Sequence, residues 1–439
     1  MKTYAETVKD TLLSLIHRIA ESPWLYCRNP ECDFTRDRKL PFEKMLTLLV
    51  GMGGDPIRDE LMDHFGCTLD MASVPAFVQQ RSKILPEALE VLFHQFTNIC
   101  AKSKLYNGYR LLAADGSDIH FAADPNDKMS YFPGVHGQKH YSLLHLNGLY
   151  DLETRMYLDA VVHKRKLSNE NGALVQMMER MNDTTPTIVI ADRAYEAYNT
   201  MAHIEQKGWK YLIRMREKAG ILTPFSLLMD GEMDRWMKVV LTKKWNKQVQ
   251  QLAKEHPGMY RFLPTSATFD FLDSHDKVNI FYPMTFRVVR FQLTEDSWET
   301  VITNLDEDQF PPEELKKLYH RRWGIETSFR QLKHTVGLRQ LQSKKVEHVI
   351  QEIFARLIMY NFSELIASHA VIQNKTGKFI YQINFSAAVH ICRQFLRGSV
   401  SPPHVEALIS RYITPIRPGR NAPRKLKRNT FKGFLYRIA

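Results

Sequence analysis

Two short apolar runs, each closed by an aspartate, constrain this chain more than any other feature. LLAADGSDIH carries Asp115, and TIVIADRAY carries Asp192. Each carboxylate follows a stretch of apolar residues, the pattern of a strand that ends where the acid begins. Ligands of α/β sheets gather at the carboxyl ends of strands. Neighbouring strands lie ~4.8 Å apart, so adjacent runs would let the two aspartates share one cation. Hard cations such as Mg2+ favour carboxylate oxygens and bridge to phosphate. A lone aspartate at a strand end reads equally well as a turn or cap residue. Asp118 and Asp151 also compete as ligands, with Asp118 the reserve candidate.

A later segment, LKKLYHRRWGIETSFRQLK, weighs against the capping alternative. It reads as one helix carrying Tyr319, Arg322, Glu326 and Lys333. At ~100° per residue these four fall within an arc of about 60°. Leu318, Ile325, Phe329 and Leu332 form the adjoining apolar stripe that seats the helix. One face therefore presents a carboxylate flanked by two cations and a phenol. Glu326 would complete a set of three carboxylates, and the planar fork of Arg322 suits a phosphate. Lys333 would lie ~10 Å further along, opposite an adjacent phosphate. A solvated face with incidental ion pairs is the plain alternative.

The fold class expected is α/β: a mixed sheet between helical flanks. Residues 1–105 read as a helical N-terminal region that binds DNA. Its stretch 57–83 is laid out like a helix-turn-helix, with Gln79, Gln80, Arg81 and Lys83 facing DNA, or else it is a pair of packed helices. Residues 106–216 alternate strand-like runs (109–114, 141–150, 155–162, 187–191, 211–215) with helices at 171–181 and 200–207, the first part of a core. Residues 217–300 read as a β-rich insertion of short strands without clear helices. Residues 301–344 return to the core with the Glu326 helix, and 345–439 form a helical region with a basic tail.

Net charge is +12, and nine of these charges lie in 411–439, a stretch with no Asp or Glu. Such a tail suits a phosphate-binding arm, or is a solvated end. Five cysteines make no disulfide framework, and Cys27 and Cys32 read as free thiols rather than zinc ligands. No run of ~18 apolar residues is present, so no membrane span is expected. The N-terminus lacks the apolar block of a signal peptide, and the expected location is the cytoplasm.

The spacing Tyr-x2-Arg-x3-Glu-x6-Lys, met by Tyr319, Arg322, Glu326 and Lys333, resembles the signature of the insertion-sequence-four family of bacterial DDE transposases. DGS at Asp115 and ADRAY at Asp192 are similar to the family's two upstream acidic motifs. ITNL (302–305), DFTRDRKLPF and AFVQQRSKIL are similar to further family stretches, so the likeness covers most of the chain. The resemblance implies an RNase H-like core interrupted by a β-domain before the Glu326 helix. It implies cut-and-paste transposition, with Asp115, Asp192 and Glu326 holding two Mg2+ ions per active site (Mn2+ able to substitute). It implies that Tyr319, Arg322 and Lys333 contact DNA near the cut, joined by Arg193. Trp298 stands where the family places a tryptophan that stacks on a flipped base, or else is a strand-edge core residue. The implied partners are double-stranded DNA, as terminal inverted repeats and target, and a second copy in a synaptic homodimer on the bacterial nucleoid.

Two other readings use the same residues. One is a non-catalytic regulator derived from a transposase, which an intact carboxylate set disfavours. The other is an RNase H-like nuclease or resolvase that cuts without joining.

Overall fold

The computed structural model describes residues 2–416 apart from 37, 103, 135–138, 217–230, 274–279, 295–296, 342, 372–379 and 403. The basic tail beyond residue 416 lies outside the described residues. Five helices open the chain: α1 (Tyr4–Ala20), α2 (Phe42–Gly51), α3 (Ile57–His64), α4 (Val74–Arg81) and α5 (Glu87–Cys100). Thr3 and Glu6 cap the first reciprocally, and Ser73 caps α4. The core follows as β1 (Arg110–Ala122), β2 (Tyr131–Phe132), β3 (Tyr141–Asp151), β4 (Met156–Lys164), α6 (Glu170–Arg180), β5 (Thr187–Ala191), α7 (Tyr198–Gln206) and β6 (Lys210–Arg214).

The next strands are β7 (Met233–Thr242), β8 (Tyr260–Phe262), β9 (Tyr282–Thr294) and β10 (Ser297–Thr303), with α8 (Lys247–Glu255) between β7 and β8. That helix corrects the expectation of a helix-free insertion, as Asn246 caps it and Val249 anchors it in the core. Parts of the expected β-rich stretch 217–300 (217–230, 274–279 and 295–296) lie outside the described residues. The chain closes with α9 (Pro312–His320), α10 (Trp323–His334), α11 (Val346–His369), β11 (Ile380–Ile383), α12 (Phe385–Arg397), α13 (His404–Arg411) and β12 (Ile413–Ile416). The β11–β12 pairing was not anticipated in a region that reads as helical.

All strands but β11 and β12 join one ten-stranded sheet, ordered β2-β3-β1-β5-β6-β10-β9-β7-β8, with β4 also on β3. Within it, β4-β3-β1-β5-β6 forms an antiparallel meander extended by two parallel strands. This is the RNase H-like arrangement. The strands of 217–300 continue that sheet through β10, whose one edge pairs with β6 and whose other edge pairs with β9.

Helix α11 is buried along nearly its whole length against α5, α2 and α12. It carries Glu352, which meets Arg81 of α4 at 3.0 Å. Arg81 is 2% exposed and also bonds Gln351 and the His348 carbonyl. The expectation that Arg81 faces DNA is therefore wrong. Its guanidinium ties the N-terminal helices to α11, and Gln80 is buried with it. No helix among the described residues is long and apolar enough to cross a membrane.

Candidate active site

The ladder between β1 and β5 sets the site. It pairs Leu111 with Ile188 and Ala113 with Ile190, and ends with Ala114 opposite Ala191. Asp115 and Asp192 are the residues that follow. Strand alternation puts Asp115 on the side of Leu111 and Ala113, and Asp192 on the side of Ile188 and Ile190. Registered neighbours share a face, so both carboxylates project from the same one. Leu111, Ile188 and Ile190 lie there in a small core that α9 covers with Leu315, Leu318 and Tyr319.

Asp192 caps the short 3-10 turn Arg193–Tyr195, accepting from the Ala194 amide at 2.8 Å. Asp115 does not end its strand, as the sequence had suggested. β1 runs eight residues past Ala114, paired there with β3 alone among the described residues. The carboxylate of Asp115 accepts from the Gly116 amide at 2.8 Å.

The helix expected to be continuous is broken. Its chain turns at Arg321 and Arg322 between α9 and α10. The two halves seat on different apolar patches. Leu318 and Tyr319 join the small core, whereas Ile325, Phe329 and Leu332 pack in the main one, with Phe329 against Tyr157. Tyr319 consequently points into the core at 4% exposure, and burial raises its phenol to about 12.

Beyond the break, Arg322 Nη2 donates to Glu326 Oε1 at 2.6 Å, and Nη1 lies 3.8 Å from Asp115 Oδ2. Arg322 is only 6% exposed. Lys333 crosses to β1, donating to the Asp118 carbonyl at 2.9 Å, and burial lowers its pKa. Asp115 titrates at about 6: burial raises it, the Gly116 amide and Arg322 oppose, and Asp192 and Glu326 raise it further.

The structure thus brings Asp115, Asp192, Glu326, Arg322 and Lys333 into one neighbourhood. Among the described residues, no three His, Cys, Asp or Glu side chains are drawn close enough to cage an ion. The Arg322 guanidinium stands between Asp115 and Glu326 instead. The donor set still fits a divalent cation. It consists of oxygens alone, and Asp115 is buried among like charges with one guanidinium nearby. Arg193 is exposed beside Asp192. Trp298 sits half-buried in β10 with the Arg290 guanidinium over its ring at 4.3 Å.

The competing aspartates are otherwise engaged. Asp151 lies opposite Leu112, toward the other end of β1, and accepts from the Glu153 and Thr154 amides. The Asp118 carboxylate meets His145 at 2.7 Å and Arg165 at 2.9 Å. Sequence reading passed over His145. Only the β1–β3 register, which sets it opposite Asp118, could have drawn attention to it.

Residues 106–362 match the transposase DDE domain. The chain belongs to the DDE transposase family. It is also 22% identical over 421 residues to the transposase InsG for insertion sequence element IS4 of Escherichia coli (strain K12), covering 90% of this chain and 87% of that one. A cryo-EM structure of the piggyBac transposase synaptic complex with hairpin DNA aligns over 95% of this chain and 86% of that one. Its TM-score is 0.45 at 10% identity, a likeness too distant to inform the site. The family reaction is metal-dependent DNA cleavage and strand transfer, and the insertion-sequence-four resemblance agrees with these matches.

Proposed function

We propose that this chain moves an insertion sequence by cut and paste, cleaving at terminal inverted repeats and joining the freed ends to target DNA. The observation that carries the reading is the shared sheet face of Asp115 and Asp192, with Arg322 reaching from Asp115 to Glu326. Asp115, Asp192 and Glu326 are the residues assigned to hold two Mg2+ ions, with Mn2+ able to substitute. Bound there, such cations supply the activation of water or a DNA 3′-hydroxyl and the stabilisation of the leaving oxygen.

The protein's own groups do the rest. Arg322, freed from Asp115 and Glu326, would turn its planar fork to a DNA phosphate. Lys333 adds a second positive group at the edge of β1. Tyr319 backs Arg322 from the core side, its ring 5.7 Å from the guanidinium, and a direct phosphate contact by its hydroxyl would require exposure. Arg193 extends the basic surface beside Asp192. Trp298 offers a ring for a flipped base once Arg290 moves aside.

Two active sites acting on two ends imply a homodimer in the synaptic complex. The N-terminal helices and the region from 345 onward are assigned to DNA and partner contacts, and the compartment is the bacterial cytoplasm at the nucleoid. The test is end joining. Protein, Mg2+ and DNA carrying the element's own ends should yield products joined to a target duplex. Cutting without joining would favour a nuclease.

A further inference from the structure

The face of β1 opposite Asp115 holds a second cluster of charged groups. Alternation turns Gly116 and Asp118 to that side, where α6 packs. His145, on β3 opposite Asp118, is 3% exposed. Its Nδ1 lies 2.7 Å from Asp118 Oδ1, and its Nε2 lies 3.0 Å from Glu170 Oε1 at the start of α6. Arg165 Nε approaches the same Asp118 oxygen at 2.9 Å. The imidazole also presses on Gly116: a Cβ built there would fall 2.4 Å from His145 Nε2 and 3.1 Å from Glu170 Oε1. Only glycine fits between Asp115 and Ser117 without moving this ring.

Geometry gives the cluster a task. Among the described residues, β1 past Ala114 has lost its β5 neighbour and pairs with β3 alone. Asp115 therefore projects from the first residue of a half-supported strand. A catalytic group displaced by ~1 Å can cost about a hundredfold in rate. On the unsupported edge, Lys333 holds the Asp118 carbonyl. From beneath, His145 links that same residue to α6. Burial opposes charge on the imidazole, but the neighbouring Asp118 and Glu170 carboxylates carry its pKa upward.

We propose that His145 is a positioning residue for the active site: wedged between Asp118 and Glu170 beneath Gly116, it fixes the stretch of β1 from which Asp115 projects. The inference rests on the assignment of Asp115 to that site.

Mn2+ binding to the full-length protein, followed by electron paramagnetic resonance, tests it without relying on turnover. Wild type should bind Mn2+ at a site that Asp115→Asn weakens. If Asp115→Asn binds as wild type does, the active-site assignment itself fails, whatever His145 does. His145→Gln should weaken Mn2+ binding by about tenfold while melting temperature and affinity for terminal DNA stay near wild type. Unchanged Mn2+ binding in that variant would overturn the inference alone. Gly116→Ala should show a similar metal defect, because its methyl collides with the ring. Removing the ring as well, in Gly116→Ala/His145→Ala, should give a combined defect smaller than the product of the defects of Gly116→Ala and His145→Ala taken singly. A multiplicative defect would mean the contact has no role in placing Asp115.

Discussion

Arg322 donates to Glu326 across the first turn of α10 at 2.6 Å, while its other arm lies 3.8 Å from Asp115. A single guanidinium thus offsets charge on carboxylates from two elements. Replacing it with alanine should leave those carboxylates repelling one another. Metal-free Arg322→Ala should melt several degrees below wild type, and Mg2+ should narrow the gap because it supplies the missing charge. A deficit that Mg2+ leaves unchanged would mean Arg322 acts on packing alone.

The elevated pKa of Asp115 makes a stability prediction with a definite sign. The folded protein holds its proton up to about pH 6, against an ordinary 3.8. The folded state therefore binds more protons than the unfolded one between those values, and stability falls as pH rises through that window. At pH 7 without metal, Asp115→Asn should be more stable than wild type, by on the order of 2–3 kcal/mol. The advantage should vanish near pH 4. Equal melting of the two proteins at pH 7 in EDTA would contradict this.

Arg81 and Glu352 are both buried, at 3.0 Å. Removing one partner of such a pair typically costs about 3–5 kcal/mol. Denaturant unfolding of Arg81→Ala should show a loss of that order, and Arg81→Met/Glu352→Met should recover much of it. The salt dependence of DNA binding should not change in the variants that fold. A weakened, shallower salt slope with unchanged stability would return Arg81 to a DNA-facing role.

How much of this was legible in the sequence follows from which interactions are local. The β5 run TIVIA was readable to the residue because a buried parallel strand is apolar throughout. The place of Asp192, directly after that strand, was readable for the same reason. The far end of β1 was not: DGSDIHFA carries polar residues, and only its pairing with β3 makes it a strand. The break at Arg321 and Arg322 was invisible to helical periodicity, because the two halves answer to different apolar patches. Arg81 looked like a surface cation because its partner lies 271 positions away. His145 escaped notice since nothing near it in sequence names Asp118 or Glu170 as its neighbours.

Trp298 lies in β10 under Arg290, with its ring half-accessible. Stacking on an unpaired base contributes ~1–3 kcal/mol. Where excision runs through a hairpin on the element's ends, Trp298→Ala should slow that step about tenfold or more while sparing the first nick. Trp298→Phe should restore part of the loss. Equal slowing of both steps would assign the ring to the core.

The most direct test of the central claim is excision from a plasmid that carries the gene's native flanking DNA between markers, with wild type or Glu326→Gln supplied in Mg2+. The substitution removes one charge and keeps the shape, so folding and DNA binding should persist. Excision by wild type, with binding but no cutting by Glu326→Gln, is the predicted result. Equal excision by both proteins would place the active site elsewhere.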